Sequence, residues 1–383
     1  MGANSSCCKM FQKEIEYKDN YIISSKKCIM SIIKLQAIYR GFIYRKKRKV
    51  YDRKVSGNGI GVNDNYFSND KKPGLEVSFT TEPKNEVNGK ILKLKELLTP
   101  FELNEKETFL LKNNYLRRYA FLYHDNSLYK GYYNKDWQRE GYGIYYRTDG
   151  CIYEGFFKGN RAEGRGRLLH IDGFCYEGDF MDNKANGFGK YINLEGMTYL
   201  GYWKNDVQDG FGEEIYPDGS RYEGYFENGK KNGKGKFISQ EGQEYEGDFY
   251  NNDLHGIGTY KWKDGRIFQG NWISNKMEGN GIFVWPDKKR YAGSYRQDNK
   301  HGYGVFLWPD NKKYEGNWLN GKQHGYGIFT NNGVSQMGEW KVGKKIRWIS
   351  NDTDEYKAAS EDLQSKKREY NFAEIENNIN KIF

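Results

Sequence analysis

The sequence predicts a mainly β protein: one elongated, single-layer, twisted antiparallel sheet with a basic helix before it and an amphipathic helix after it. Two observations support this prediction. A 23-residue pattern runs from about residue 129 to residue 348, and within it aromatic residues alternate with glycine at period two. A fixed period of this length is typical of a stacked array of one small structural unit. The opening residue of the unit recurs at Tyr129, Tyr153, Tyr176, Tyr199, Tyr222, Tyr245, Phe268, Tyr291 and Tyr314, with Gln336 in the tenth place.

Each unit has the pattern of one β-hairpin. A period of two places ring, glycine and ring on the same face of a strand, and the glycine lets a neighbouring backbone or ring come close. A polar turn follows, a Gly-x-Gly-x-aromatic return strand comes next, and Asp-Gly pairs such as Asp149-Gly150 close the hairpin. The residues that define the repeat are Tyr153, Gly155, Tyr199, Gly201, Trp203, Tyr245, Gly247, Tyr314, Gly316, Trp318, Gly325 and Gly327.

The glycines and rings at these positions resemble the MORN repeat, over about 220 residues. The resemblance implies successive antiparallel hairpins in one sheet. It also implies a membrane-associated scaffold, with phospholipid binding and homodimerisation as properties of some family members. The sequence departs from the pattern at Phe268, at Leu168 and Glu214 on return strands, and at a truncated tenth unit that ends at Trp340.

Composition fits a thin sheet covered by rings. Aromatic residues make up 17% of the chain, with 33 Tyr and 46 Gly, and the strongly polar composition argues against a large aliphatic core. The net charge of +10 is confined to the segment from Lys9 to Lys54, which holds 14 basic and 4 acidic residues. The array is therefore neutral overall, and the basic arm is the part that could meet an anionic lipid surface, an acidic protein or nucleic acid.

The cysteines and the hydropathy pattern predict a cytosolic protein that reaches membranes only through lipid or charge. The five cysteines include no CxxC pair and do not form a disulfide framework. No signal-peptide core and no run of 18 apolar residues is present.

Residues 1–23 are predicted to be an acylated membrane anchor. Removal of Met1 would leave Gly2 at the terminus, with Ser6 where myristoylated chains carry Ser or Thr, and Cys7 and Cys8 follow as sites for palmitoylation. One myristoyl chain binds membranes weakly, whereas a second acyl chain or a basic patch makes attachment durable. The expected location is the cytosolic face of the plasma membrane or of an internal membrane. The alternative is a disordered terminus with a chance Met-Gly start.

Residues 24–55 are predicted to form a basic amphipathic helix. Within it, five residues resemble the IQ motif, which binds calmodulin, calmodulin-like proteins and myosin light chains; Arg48 departs from the motif's last slot. Contact with an anionic lipid surface explains the composition equally well, and both interactions together would make an electrostatic switch. The matching residues are Leu35, Gln36, Arg40, Gly41 and Arg45.

The remaining segments flank the array. Residues 56–85 are rich in Gly, Asn and Asp and are predicted to be a flexible linker. Residues 86–128 are predicted to be a partly helical lead-in or cap, with a helix that stops before Pro100. Residues 349–383 are predicted to form an amphipathic helix, either as a cap over the last strand edge or as a partner-binding or self-association helix.

No catalytic, metal or cofactor site is predicted. Two Gly-x-x-x-x-Gly-Lys matches, which end at Lys230 and Lys322, lack the following Ser or Thr and lie in hairpin turns. His255, His301 and His324 occupy one repeat position, so they are expected about 10 Å apart, too far to share a metal ion.

The predicted function is a membrane-anchored, non-enzymatic scaffold that presents its array to proteins, or to phospholipid, with a calmodulin-like partner at the basic helix. The alternative is a regulatory or targeting subunit of a signalling enzyme such as a lipid kinase. Nucleic acid is not an expected partner.

Overall fold

A computed structural model describes residues 72–83, 88–113 and 116–369. The predicted anchor and basic helix therefore lie outside the described residues, and so does the C-terminal segment after residue 369. Within the described part, the chain forms 22 strands and three helices, and the prediction of a mainly β protein with one long, open antiparallel sheet is confirmed.

Each strand of the sheet pairs antiparallel with the strand that follows it in the chain, from β1 to β22. Helices α1 (Gly89–Leu97) and α2 (Glu105–Asn113) lie between β1 and β2, and α3 (Asp354–Glu369) follows β22. The strands are β1 (Leu75–Glu76), β2 (Arg117–Leu122), β3 (Leu128–Tyr133), β4 (Arg139–Tyr146), β5 (Ile152–Lys158), β6 (Arg161–His170), β7 (Phe174–Met181), β8 (Lys184–Asn193), β9 (Thr198–Lys204), β10 (Val207–Ile215), β11 (Arg221–Glu227), β12 (Lys230–Ile238), β13 (Glu244–Tyr250), β14 (Asp253–Lys261), β15 (Ile267–Ile273), β16 (Lys276–Val284), β17 (Arg290–Arg296), β18 (Asn299–Leu307), β19 (Lys313–Leu319), β20 (Lys322–Asn331), β21 (Val334–Lys341) and β22 (Lys344–Trp348).

A continuous row of glycines crosses the sheet. Every strand from β3 to β21 contributes one glycine to this row, and neighbouring glycines of the row pair with each other, as Gly247 pairs with both Gly235 and Gly258. The opening ring of each unit lies over two glycines of the row; a Cβ on Gly258 would stand 2.3 Å from the hydroxyl oxygen of Tyr245. Only hydrogen fits at these positions, which explains why ring and glycine recur together.

The rings on this side of the sheet form a ladder that covers itself. Each opening ring meets, edge to face, the ring four residues later and the equivalent ring of the next unit, with centroids 4.9–5.7 Å apart. Each such pair adds about 0.5–1.5 kcal/mol beyond the burial of its area. We call this side the ring face. Its opening rings are at most 5% exposed, so a single sheet builds its core on one side.

Hydrogen bonds fix the ladder to the backbone. In eight units the opening tyrosine donates its hydroxyl hydrogen to the carbonyl three residues later, as Tyr245 does to Asp248 at 2.8 Å. Phe268, which replaces the tyrosine in one unit, keeps the ring contacts and lacks this bond. The hydroxyls of these tyrosines therefore find partners inside a single-layer fold.

The turns of successive hairpins are joined to one another. Two-residue turns such as Asn251-Asn252, with φ of 52° and 78°, are of the type that matches strand twist and favours Asn and Gly. The Asn252 amide donates to the Lys231 carbonyl (3.0 Å), and the Lys231 amide donates to Asn252 Oδ1 (2.8 Å). The β12–β13 ladder begins at Gly233 and does not pair Lys231. The turn therefore supplies the hydrogen-bond partners of the Lys231 backbone.

The opposite side of the sheet, which we call the outer face, carries the side chains between the ring-face residues, and flanking segments cover its two ends. Near the start of the array, Ile91 and Leu94 of α1 are fully buried against Ile152, Leu169 and Cys175.

Near the end of the array, Ala359 and Leu363 of α3 are buried against Tyr303 and Met337. The helix thus lies on the outer face and not along the last edge, where all five residues of β22 are exposed. The first turn of the helix is also tied to this edge strand, because Arg347 Nη1 donates to Glu355 Oε2 at 2.9 Å. Lys344 and Lys345 on the edge strand are of the type that keeps other strands away.

Candidate functional site: an uncovered part of the outer face

One row of outer-face side chains differs along the sheet. It lies next to the glycine row, and its members pair across the boundary between consecutive units. The pairs are Tyr142 and Phe156, Arg165 and Asp179, Phe188 and Tyr202, Phe211 and Tyr225, Lys234 and Asp248, Ile257 and Asn271, Asn280 and Ser294, Tyr303 and Asn317, and Tyr326 and Glu339. Rings therefore occur in three groups: near the start, in the middle and near the end.

The first group of rings is covered by the lead-in segment. Phe101 stacks on Tyr142 with ring centroids 6.2 Å apart and planes 10° from parallel. The guanidinium of Arg165 lies 4.5 Å from the centre of the Phe101 ring, and its Nη1 donates to the backbone oxygen of Glu102 at 2.8 Å. The lead-in is thus fixed to the row by stacking and by charge.

The last group of rings is covered by α3, and here charge adds to apolar contact. Lys367 donates to Glu315 Oε1 at 2.7 Å and the Tyr303 hydroxyl donates to the same oxygen at 2.6 Å, while Lys313 donates to Oε2 at 3.0 Å. Burial alone would raise the pKa of Glu315, yet these hydrogen bonds lower it to about 2. Lys366 also donates to Asn317 Oδ1 at 3.2 Å.

The middle group of rings has no cover among the described residues. Phe188, Leu200, Tyr202, Phe211 and Tyr225, on the adjacent strands β8 to β11, are 48%, 43%, 52%, 44% and 52% exposed. We call these five side chains the aromatic window. Phe188 packs edge to face on Tyr202, and Phe211 on Tyr225, each at 5.5 Å. A contiguous exposed apolar patch on a protein surface marks an interaction surface.

Two carboxylates border the aromatic window. Glu213 and Glu223 stand directly opposite each other on β10 and β11, and neither has an ion-pair partner within the described residues. Other outer-face carboxylates are held, as Glu177 is by Arg167 at 2.9 Å and Glu246 by Lys236 at 3.5 Å. Like charges directly opposite across two strands destabilise a sheet. Lys236, which stands opposite Glu223 on β12, is paired with Glu244 at 2.9 Å, so this border favours a further cation.

Buried charges on the ring face have structural partners. Glu214, which stands where other units have a return-strand ring, is fully buried, and Lys231 of the next unit donates to it at 2.9 Å. The Tyr216 hydroxyl also donates to this carboxylate, and burial raises the pKa of Tyr216 well above its ordinary value. The departure at Glu214 is thus one half of a buried ion pair.

A second cation on the ring face is held by rings alone. The Nζ atom of Lys300 lies 4.5–5.2 Å from the centres of four rings, and burial lowers the pKa of this amine to about 8. Its surroundings are built from residues of the ladder itself, so Lys300 belongs to the core.

The residues that define the repeat lie in the ring ladder or the glycine row, except Gly325, which lies within the return strand β20 with φ of 67°. They are structural and do not form the exposed surface. The predicted lipidation residues Gly2, Cys7 and Cys8 lie outside the described residues. The predicted partner-binding residues Leu35, Gln36, Arg40, Gly41 and Arg45 also lie outside them.

The aromatic window was missed by reasoning from the sequence, which looked for what the units share. The signal in the sequence was a difference between units. At the outer-face position between the repeat-defining residues, the units of the aromatic window carry large apolar side chains, whereas later units carry Lys234, Asp248 and Asn271.

The three histidines occupy the same place in three hairpins. His324 accepts the Val342 amide at 3.5 Å, the place where Glu140 accepts the Gly159 amide in the first unit. In residues 72–83, 88–113 and 116–369, no three His, Cys, Asp or Glu side chains are grouped as a metal site. Across the same ranges, no helix is both long enough and apolar enough to span a membrane.

Two solved structures that resemble the chain are distant likenesses. The TCP10 domain of Danio rerio CPAP is 12% identical, with 60% of this chain and 99% of that domain covered and a TM-score of 0.21. The TCP domain of Drosophila melanogaster SAS-4, solved with a proline-rich motif of Ana2, is 11% identical, with 56% and 94% covered and a TM-score of 0.21. Likenesses at these scores support no inference. No curated protein matches the chain.

The sequence model of the MORN repeat matches nine segments, which together make up just over half of the chain. They are residues 129–152, 153–173, 176–193, 199–221, 222–244, 245–265, 268–290, 291–313 and 314–333. Each segment coincides with one hairpin of the sheet, from β3–β4 to β19–β20. The chain therefore belongs to the MORN-repeat family.

Proposed function

We propose that this MORN-repeat protein is a membrane-anchored, non-enzymatic scaffold, held by acyl chains at the cytosolic face of a membrane while its array binds other proteins. The observation that supports the binding role is the aromatic window: five exposed apolar side chains on a sheet face whose two ends are already covered. Phospholipid is the alternative ligand of the array.

The binding role is tested with the double substitution Phe211→Ser and Tyr225→Ser. Both side chains are about half exposed and point away from the ring ladder, so the fold should be retained. Proximity labelling in cells should lose a set of neighbours while the membrane-bound fraction stays unchanged. Val334→Ser, at an exposed position on β21, is the matched control. An identical set of neighbours for all three proteins would contradict a binding role for this surface.

Membrane anchoring is proposed from Gly2, Cys7 and Cys8, with the basic charge of residues 9–54 in support. Cell fractionation of Gly2→Ala should move most of the protein to the soluble fraction, because the two cysteines are palmitoylated only after the myristoyl chain has brought them to the membrane. The double substitution Cys7→Ser and Cys8→Ser should leave weak, reversible binding. A Gly2→Ala protein that stays fully membrane-bound would refute anchoring by acylation.

An EF-hand partner of the calmodulin or myosin-light-chain type is proposed for residues 24–55, because charge alone does not require the order of Gln36, Arg40 and Gly41. A peptide of residues 24–54 should bind calmodulin or a light chain, and a peptide with Gln36→Ala and Arg40→Ala should bind more weakly. The binding is measured with and without calcium. If only anionic vesicles bind both peptides, the segment is a lipid-binding helix.

The alternative function, a regulatory or targeting subunit of a signalling enzyme, shares the same anchor and array. Co-purification of a lipid kinase activity from membranes, lost with the Phe211→Ser and Tyr225→Ser protein, would favour it over a scaffold without an enzyme partner.

A further inference from the structure

We propose that the aromatic window binds a basic amphipathic α-helix of a partner protein. The inference rests on the proposed role of the array as a protein-binding scaffold and adds the chemistry of the partner.

The first argument is continuity with contacts that the chain already makes. The row that contains the window carries rings in three places, and in two of them apolar side chains of a flanking segment cover the rings: Phe101 over Tyr142, and Leu363 of α3 over Tyr303. The third place has the same kind of side chains on the same face and is bare. A face that binds its own helix through such rings has the shape and chemistry to bind another.

The second argument is charge. Where α3 lies on the sheet, Lys367 on its last turn pairs with the outer-face carboxylate Glu315. At the window, the border carboxylates Glu213 and Glu223 face each other, and neither has an ion pair within the described residues. Lys236 stands opposite Glu223 on β12, but its amine is paired with Glu244 at 2.9 Å. A lysine or arginine beside the apolar stripe of the incoming helix would take the place that Lys367 takes at Glu315, and would relieve the repulsion between the two carboxylates.

The third argument is size. The window crosses four strands, from β8 to β11, and neighbouring strands lie about 4.8 Å apart, so its span is about 14 Å. An α-helix rises about 5.4 Å per turn, and about three turns would cover this span. The 16-residue α3 covers the third group of rings in the same way. The expected partner segment is therefore a helix of at least three turns.

The test uses two designed peptides of about 14 residues with leucine at helical spacing on one face and either lysine or glutamate on the other. Binding to the full chain, purified without acyl groups, is measured by fluorescence anisotropy of labelled peptide. The Leu/Lys peptide should bind more tightly than the Leu/Glu peptide. The double substitution Phe211→Ser and Tyr225→Ser should weaken Leu/Lys binding by at least about tenfold, since two central rings are lost; Val334→Ser should not.

Charge reversal sharpens the test. The double substitution Glu213→Lys and Glu223→Lys should exchange the preference, so that the Leu/Glu peptide binds more tightly. Circular dichroism and the urea midpoint show whether each variant is folded. Equal binding of both peptides, or Leu/Lys binding that is insensitive to the window and to the charge reversal, would overturn the proposal.

Two other occupants are separate outcomes that would also overturn it. A dimer in sedimentation that the window substitutions convert to monomer would assign the surface to a second copy of the chain. Binding to phosphatidylcholine–phosphatidylserine vesicles that the same substitutions abolish would assign it to lipid. If the peptides fail but the window substitutions still remove neighbours in proximity labelling, the helix proposal fails and the scaffold proposal stands.

Discussion

The glycine row makes the most demanding prediction about stability. Gly247 lies in β13 between Gly235 and Gly258, and a Cβ there would stand 2.4 Å from the Gly258 Cα, 2.6 Å from the Tyr245 hydroxyl oxygen and 2.7 Å from the Ile257 carbonyl oxygen. Two of these three atoms belong to the backbone of the next strand. The substitution Gly247→Ala therefore requires either that β13 and β14 separate or that the tyrosine ring leaves its place.

The expected cost follows from these contacts. Overpacking in a well-packed core costs about 1–3 kcal/mol, and displacement of Tyr245 would break its hydrogen bond to Asp248, worth about 1 kcal/mol. Gly247→Ala should thus lower the free energy of unfolding by about 2–4 kcal/mol. Because each unit of a repeat array contacts only its neighbours, the loss should be centred on β13 and β14.

Urea denaturation followed by tryptophan fluorescence measures the total effect, and hydrogen exchange of the amides in β12 to β15 locates it. Gly89→Ala is the matched control, because Gly89 begins α1 and no atom lies within 4 Å of a Cβ added there. The free energy of unfolding of the Gly89→Ala protein should stay within about 0.5 kcal/mol of the parent's. A Gly247→Ala protein with the parent's urea midpoint would refute the role given to the row.

Three further predictions concern single positions. Lys231→Met strands the buried Glu214 carboxylate and should cost about 3–5 kcal/mol in urea denaturation; adding Glu214→Phe, which restores the ring of other units, should recover most of it. Glu315 has a pKa of about 2 in the folded chain, against 4.5 for the ordinary group. Its ionised form therefore stabilises the fold by up to roughly 3 kcal/mol above about pH 4.5, and this contribution is lost as the pH falls towards 2. Glu315→Gln should remove this part of the dependence of stability on pH. Val342 has φ of 54°, which suits Asn far better than a β-branched residue. Val342→Asn should therefore raise the free energy of unfolding by about 1 kcal/mol, seen as a higher urea midpoint.

Each of these predictions has an outcome that would contradict it. For the ion pair, unchanged stability of Lys231→Met would contradict a buried salt bridge. For Glu315, a Glu315→Gln protein whose stability falls between pH 4.5 and 2 as the parent's does would contradict the role given to this carboxylate. A lower midpoint for Val342→Asn would show that the turn has another requirement at this position.

Much of the fold was predictable because its determinants are local and repeated. Tyr245 and Gly247 are two residues apart, and a period of two places them on one face whatever the rest of the chain does. The positive-φ turns likewise carry Asn, Asp or Gly at nearly every occurrence. The strand pattern, the hairpin order and the family follow from these short-range relations.

Other features depend on partners far away in the chain. Glu214 is a departure from the repeat that makes sense only with Lys231 beside it. The packing of α3 on the outer face rather than along the edge depends on Tyr303 and Met337. These two residues lie in different strands, and both are far from α3 in the sequence. No spacing rule in the sequence joins these positions.

The sequence by itself determined the repeat, the hairpins and the ring-over-glycine core, because each is set by residues within one unit and its neighbour. Only the tertiary structure decided which part of the outer face is available to a partner. Exposure of Phe188, Tyr202, Phe211 and Tyr225 depends on where Phe101, α1 and α3 come to lie, and that is fixed by long-range burial of apolar surface and pairing of charge. A ring in the middle of the array and a ring at its end have the same sequence pattern around them. They differ only in whether a flanking segment of the folded chain covers them.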